Sequence, residues 1–513
     1  MADLKLKVTL KISVLLVTGF CFLLFGNGVQ SLSMEQQPYR TGYHFQPPKN
    51  WINGPMYYKG VYHLFYQYNP YAAVWGNISW AHSISYDLVN WIHLDNALSP
   101  DDPFDINGCW SGSTTVLPDG KPVILYTGSD TMNRQVQNLA EPKNVSDPLL
   151  REWVKSAHNP LMTPVDGIDP KSFRDPTTAW LGPDGLWRVL DSRSKEPLHS
   201  STRTGMWECP DFYPVSIDGK DGVDTSSLDK STKHVLKVSF NDCDHYVLGN
   251  YMPVTDNFSV DSDFLENGSD LRYDYGKFYA SKTFFDSGKK RRILWGWIPE
   301  SDSTTDDIEK GWSGLQSIPR SILLSKTGKQ LIQWPVEEIE MQRAENVSFK
   351  NKELKGGSVL GSLRHYSFSV SFDLSNLKEA ELMDPSWIDP QLLCSQKTAS
   401  VRGNVGPFGI LAFASNDLTE QTAIFLRVLV IRADRCIRIP ELQIDHSIVE
   451  SFGGEGRACI TARVYPKLAI DNQAYLYAFN NGTFDVNIST LNAWSMKKAQ
   501  IVSSTKRRKP HLN

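Results

Sequence analysis

The chain has 513 residues, a formal net charge of −4 and 21% charged residues. That length accommodates two or more domains with full cores, and the charge leaves no basic footprint of a nucleic-acid binder. Aromatics reach 11%, with 15 Trp and 20 Tyr; most belong in a β-sheet core, and only those beside polar clusters suit sugar stacking.

At the N-terminus, Lys5, Lys7 and Lys11 lead into an apolar run from Ile12 to Phe25, followed by small residues and an acceptable cleavage site at Val29-Gln30-Ser31. Residues 1–31 therefore read as a secretory signal peptide. The apolar run is too short, and broken too soon by Gly26-Asn27-Gly28, to serve as a membrane anchor. Secretion agrees with Asn-x-Ser/Thr sequons at Asn77, Asn144, Asn257, Asn267, Asn346, Asn481 and Asn487. Cys21 leaves with the signal, and the remaining cysteines form no CxxC pair, so no metal site is expected. A bridge between Cys436 and Cys459 across a hairpin is the expected disulfide.

From Tyr39 to Trp334, short apolar runs alternate with turn residues: "VYHLFYQYNP", "PVILYTGS", "TTAWLGPDGLWRVL", "KFYASKTFF" and "RRILWGWI". Asp119-Gly120 and Asp184-Gly185 mark hairpins. Evenly spaced hairpins over about 300 residues suggest a β-propeller, residues 39–336. Polar clusters near strand starts would converge on its central channel: Tyr43-His44-Phe45, Trp110-Ser111-Gly112-Ser113, Arg174-Asp175-Pro176 and Trp207-Glu208-Cys209-Pro210-Asp211. Each taken singly is equally a strand end with a satisfied polar residue. After "QLIQWPVEEIEMQR" the pattern changes to alternating strands such as "SFSVSFDL", "FGILAFAS" and "ACITARVYP". Residues 346–502 read as a β-sandwich with no convergent acid, base or nucleophile. The basic end, "STKRRKPHLN", is a solvated tail or a contact for an acidic cell-wall polysaccharide.

Retaining glycosidases need two carboxyl groups about 5 Å apart, one of them protonated. Glu208, flanked by Met206, Trp207, Cys209 and Pro210, suits an acid whose pKa is raised by apolar neighbours; the plainer alternative is a strand glutamate facing solvent. Asp175, beside Arg174, suits an ionised group that grips sugar hydroxyls, or else a structural ion pair at a turn.

The long stretches "FRDPTTAW", "MWECPDFYPV", "YDYGKFYASKTFFD", "GWSGLQSIPR", "LIQWP" and "IDHSIVESFGGEGRACITARVYP" resemble plant acid invertases of the cell-wall type, in glycoside hydrolase family 32. The resemblance runs from about Tyr39 to Ile501. It implies an all-β fold, a five-bladed β-propeller followed by a C-terminal β-sandwich. It also implies retaining hydrolysis of β-fructofuranosides such as sucrose, no cofactor, and a place in the apoplast or cell wall. Residue by residue, it implies that Glu208 is the acid/base and that Asp175, with Arg174, stabilises the transition state. Trp51, Asn53, Gln67, Trp75, Trp110 and Ser111 match sugar-contacting positions, and Asp274 falls in another family motif.

One departure stands out. The family pattern Trp-Met-Asn-Asp-Pro-Asn-Gly carries the nucleophile as its first Asp, whereas Trp51-Ile52-Asn53 runs directly into Gly54-Pro55. The tripeptide Asp-Pro-Asn is missing, as if a very short exon had been skipped. Chain is also short between Asp175 and Glu208, where one hairpin and a polar run stand for a whole blade, and between Ile424 and Asp445. The expectation is a catalytically defective chain. Sucrose is the first substrate expected. Asn241, with no nearby Lys or Arg, points toward a fructan exohydrolase unless Asp242 or Asp244 compensates, and a non-catalytic sugar binder is the third reading.

Overall fold

The structure is a computed structural model describing residues 37–503, apart from 48–53, 192–196, 201–203, 220, 228, 230, 262–270, 364–366, 374–376, 385, 387–389 and 431–437. The signal segment, Trp51, Asn53, Asn267, Cys436 and the basic tail lie outside the described residues. No described helix is long and apolar enough to cross a membrane.

The described part of the first half forms five sheets in chain order. The first comprises Pro55–Tyr58, Val61–Tyr68, Ser79–Ser85 and Trp91–His93; the second runs from Cys109–Val116 to Trp153–Lys155 in four strands. The third is only the pair Trp180–Leu181 and Trp187–Arg188. The fourth begins at Glu208–Ser216 and the fifth at Tyr279–Asp286, with five strands each. Both expected hairpins form, with Gly120 and Gly185 at φ +81° and +78°, a region glycine enters without steric cost.

Neighbouring sheets touch in a closed cycle. Separate cores lie between first and second (Phe65, Trp80, Tyr126), third and fourth (Trp180, Phe212), fourth and fifth (Tyr213, Leu294), and fifth and first (Trp295, Leu64). Second and third are joined by hydrogen bonds, Thr178 Oγ1 to the Thr114 carbonyl (3.1 Å) and Ala179 N–H to Thr115 Oγ1 (2.8 Å). Because most strands are covered on both faces, they read as nearly continuous buried runs rather than alternating ones; Val61–Tyr68 is buried along all but its last residue.

A 3₁₀ turn at Glu337–Gln342 leads into the second half. There a six-stranded and a four-stranded sheet share one core built from Phe368, Phe372, Phe408, Leu442 and Leu491. The packing is incomplete. A cavity of about 210 Å³ remains among Phe349, Leu360, Ile410, Ala478 and Leu491, remote in sequence from every polar cluster of the first half.

The halves are tied by a buried ionic network. Arg320 Nη2 reaches Asp274 Oδ2 (2.9 Å), Glu450 Oε2 (2.5 Å) and Thr461 Oγ1 (3.0 Å). His44 bridges Asp445 (2.9 Å) and Glu450 (3.1 Å) through its two ring nitrogens. The Tyr43-His44-Phe45 cluster thus serves this junction rather than a channel. The chain then returns, Ile501–Ser503 pairing in parallel with Trp91–His93 of the first sheet. Cys459 is a free buried thiol, and Cys436, its expected partner, lies outside the described residues.

Candidate active site

Apart from Tyr43-His44-Phe45, the polar clusters lie at or just before first strands. Three of those strands carry a β-bulge at their start: between Cys109 and Gly112, between Glu208 and Asp211, and between Tyr279 and Lys282. A bulge adds a residue to one strand, re-aims side chains and frees carbonyls from the ladder. Here buried lysines take up the freed carbonyls. Lys237 Nζ donates to the Cys209 (3.1 Å) and Ser281 (2.8 Å) carbonyls, and Lys282 Nζ to that of Pro210 (2.8 Å). Asp244 accepts the N–H groups of Ala280 (3.1 Å) and Ser281 (2.8 Å). Cys209 and Ala280 have φ of +46° and +53°, and Asp175 +67°. Such left-handed non-glycine residues cost of order 1–3 kcal/mol each, persist only where surroundings over-determine them, and cluster at functional sites.

Glu208 is the best-held side chain of the group. Arg174 Nη2 donates to its Oε1 and Tyr279 Oη to its Oε2, each at 2.5 Å, while about a third of the side chain stays open (36%). The sequence suggested an acid among apolar groups. Instead, two donors, Arg174 and Tyr279, occupy its two oxygens. Burial opposes the Arg174 charge, but Asp175 and Glu208 outweigh it and raise its pKa.

Asp175 is nearly shut from water, at 3% exposure. Its N–H donates to Thr127 Oγ1 (2.8 Å), and its Oδ2 accepts from the Cys209 N–H (2.9 Å). The residue therefore hangs between the second and fourth sheets, independent of the short third sheet that follows it. Ser113 Oγ donates to the Pro176 carbonyl (2.9 Å) and fixes the same loop from the second sheet.

Gln67, Ser111, Trp75 and Trp110 form the adjoining group. Gln67 Nε2 donates to Ser111 Oγ (2.7 Å), and the Trp75 and Trp110 rings meet edge to face at 6.1 Å. Trp75 keeps 56% of its surface open, an unusual exposure for a tryptophan; a half-open aromatic pair suits the face of a sugar ring.

Asp274 stands apart from these residues. It is fully buried and spends its carboxylate on Arg320, on Thr461 (N–H 2.8 Å, Oγ1 2.7 Å) and on the Gly276 N–H (2.8 Å). It joins the halves and has no face left for a ligand. Asp244, considered as a substitute sugar clamp, is likewise fully buried and used by the Ala280–Ser281 bulge. Asn241 and Asp242, at φ +50° and +57°, make the two-residue turn between Phe240 and Cys243, the type I′ geometry a tight hairpin requires.

Two residues of the group were not singled out in the sequence. Tyr279 lies inside the quoted "YDYGKFYASKTFFD" stretch, but nothing local marks its hydroxyl as a partner of Glu208. Asp191 follows Leu190, whose backbone exchanges hydrogen bonds with Thr177. Burial, with the Asp175 charge adding and Lys282 opposing, pushes its carboxyl up to about 8. That shift favours the neutral carboxyl over the carboxylate. Among the described residues its Oδ1 has no hydrogen-bond partner.

Comparison with known proteins accounts for this arrangement. The model of the glycosyl hydrolases family 32 N-terminal domain matches residues 44–196 and 191–335, and that of the family 32 C terminal matches 441–495. The chain is 52% identical over 535 residues to beta-fructofuranosidase, insoluble isoenzyme CWINV1 of Arabidopsis thaliana, covering 91% of this chain and 92% of that one. It is 53% identical to the cell wall isozyme of beta-fructofuranosidase from Pisum sativum, covering 87% and 92%. The crystal structure of fructan 1-exohydrolase IIa from Cichorium intybus matches with a TM-score of 0.87 and 50% identity, over 91% of this chain and 99% of that one. On these matches, which take in both halves of the molecule, the chain belongs to glycosyl hydrolase family 32.

Proposed function

We propose that this chain is a secreted β-fructofuranosidase-type hydrolase, built for retaining cleavage of sucrose, that has lost its nucleophile and with it most of its activity. In this reading the five sheets are the blades of a five-bladed propeller, residues 39–336, and residues 346–502 are a β-sandwich. The apoplast or cell wall is its place, as the names of the relatives suggest. Glu208 is the acid/base, and Asp175 and Arg174 grip the fructosyl hydroxyls. Gln67, Ser111, Trp75 and Trp110, with Trp51 and Asn53, complete the sugar pocket.

The observation that carries the reading is the Arg174–Glu208–Tyr279 group beside Asp175, set against the direct run of Asn53 into Gly54-Pro55. The donor side of a two-carboxylate site is assembled. The partner that should attack from the opposite side of the sugar is missing from the stretch where the family carries it. Asp191 is pushed toward its neutral form, which makes it a poor substitute. The alignment with the Arabidopsis relative is longer than this 513-residue chain, though it takes in only 91% of it. The relative therefore has stretches without a counterpart here, and the two-strand third sheet lies where one such loss is expected.

Loss of a nucleophile costs on the order of 10⁴-fold or more in rate. Purified protein assayed on sucrose should turn over barely above background; a rate typical of the family would end the reading. Fructan hydrolysis is the second reading. The tight Asn241–Asp242 hairpin offers no basic residue to hold a glucosyl unit, and a related structure carries the name of a fructan exohydrolase. Comparing sucrose with short levan, on a chain with its nucleophile restored, separates the two. Residual sugar binding is tested by calorimetry, where heat at millimolar sucrose is expected.

A further inference from the structure

We propose that Asn77 carries an N-linked glycan at the rim of the sugar site, and that this glycan restricts the site to short sugars. The inference rests on the proposed secretion. The sequence around it, Trp75-Gly76-Asn77-Ile78-Ser79, joins an acceptor sequon to an exposed tryptophan of the site. Asn77 is exposed and sits in a bend at φ +50°, a conformation Asn tolerates better than most residues. No hydrogen bond engages its side-chain amide among the described residues. The next residue, Ile78, is fixed to the site, for its carbonyl accepts the Cys109 N–H (2.8 Å), one residue before Trp110. Asn77 is thus held between Trp75 and the strand start that carries Trp110 and Ser111, while its own side chain faces solvent.

The other sequons differ in ways that bear on the choice. Asn144 and Asn257 are exposed but lie on other strands and loops. Asn481 gives its side-chain amide to the Ala399 (3.0 Å) and Ser400 (3.3 Å) carbonyls, and Asn346 gives its amide to that of Ala493 (3.3 Å). Asn487 lies inside a strand paired on both sides, opposite Glu353 and Asp373. Ser79 is 3% exposed and already paired with Tyr68 in the folded sheet, so transfer must precede closure of that strand. In the transfer, Asn77 Nδ2 bonds to the anomeric carbon of an oligosaccharide carried on a polyisoprenyl diphosphate. The sugar–phosphate bond breaks, and the amide proton and the lipid diphosphate leave. A bulky, hydrated chain then stands beside Trp75. It leaves a disaccharide free to enter but crowds the trailing units of a polymer.

The test begins with the full chain secreted from a glycosylating host, enzymatic glycan release in heavy-oxygen water and peptide mass spectrometry. Asn77 should be occupied in most molecules, with Asn481 and Asn487 unmodified. Occupancy at Asn144 and Asn257 without Asn77 overturns the proposal while leaving secretion intact; protein retained in the cell with no sequon modified overturns both. For the second part, tryptophan fluorescence follows titration with fructose and with long inulin. Asn77→Gln should tighten inulin binding several-fold and leave fructose unchanged. Equal inulin affinity in the two proteins overturns the restriction, and refolded, unglycosylated wild-type chain, which should behave like N77Q, separates the glycan from the side chain.

Discussion

The second and third sheets of the first half are neighbours, yet one is complete and the other is not. The second has four strands, and its first strand carries Trp110 and Ser111; the third has two short strands, preceded by Asp175. Nevertheless Asp175 is as firmly held as any residue of the site, because its hydrogen bonds come from Thr127 and Cys209 on either side. In a cyclic arrangement, inner segments are anchored by neighbouring sheets, whereas outer strands support only their own sheet. A loss at the outside therefore leaves the inner geometry standing. On the proposed reading, a loss at the inside, such as that of Asp-Pro-Asn before the first strand, removes the chemistry directly.

The largest effect should come from reversing the inner loss. Inserting Asp-Pro-Asn after Asn53 should raise sucrose turnover by about 10⁴-fold or more, and adding Glu208→Gln to that protein should abolish the gain. If a lengthened third sheet alone restores activity, inner and outer losses have been ranked wrongly.

Next in size is the junction between halves. Arg320→Met leaves Asp274 and Glu450 buried without their partner and should cost about 3–5 kcal/mol in urea unfolding. Within the site, Thr127→Val removes the partner of the Asp175 N–H and should cost about 1–3 kcal/mol. The Arg188 ion pairs of the third sheet, to exposed Asp184 and Asp256, should be worth no more than about 1 kcal/mol. Arg188→Ala costing more than Thr127→Val would break the comparison.

The junction should also be visible in pH. Burial opposes the charge on His44, but Asp445 and Glu450 outweigh it and push its pKa from 6.5 up to about 9. A raised folded pKa means stabilisation fully present below 6.5 and lost as pH rises through about 9. Unfolding free energy should fall across that window, and His44→Gln should flatten the slope. His63 shifts the other way, burial lowering it to about 3, so its contribution is present above 6.5 and lost as pH falls toward that value. The smallest effect belongs to the cavity of the second half, where Ala478→Val should add up to about 1 kcal/mol, read as a rise in Tm.

Much of this was legible along the chain. Asp119-Gly120 and Asp184-Gly185 announced their hairpins because glycine supplies a backbone conformation that other residues resist. Glu208 and Asp175 were picked out by their flanking residues and family motifs, and the structure links Asp175 to Cys209, next to Glu208. Asp274 was misleading for the same reason: it sits in a motif, but the motif serves the junction with Thr461. Tyr279 and Asp191 were invisible because their roles depend on which first strand ends beside which.

The sequence by itself determined the family, the strand-rich halves and the absence of a carboxylate between Asn53 and Gly54, since covalent order and local backbone preference are properties of the chain. Only the tertiary structure decided which carboxylates face the site and which bind the halves together. It also decided that Asp175 is held by Thr127 and Cys209 rather than by the short sheet that follows it. Hydrogen bonds and desolvation act between residues that are distant in the chain, so partnership is fixed by packing and not by order.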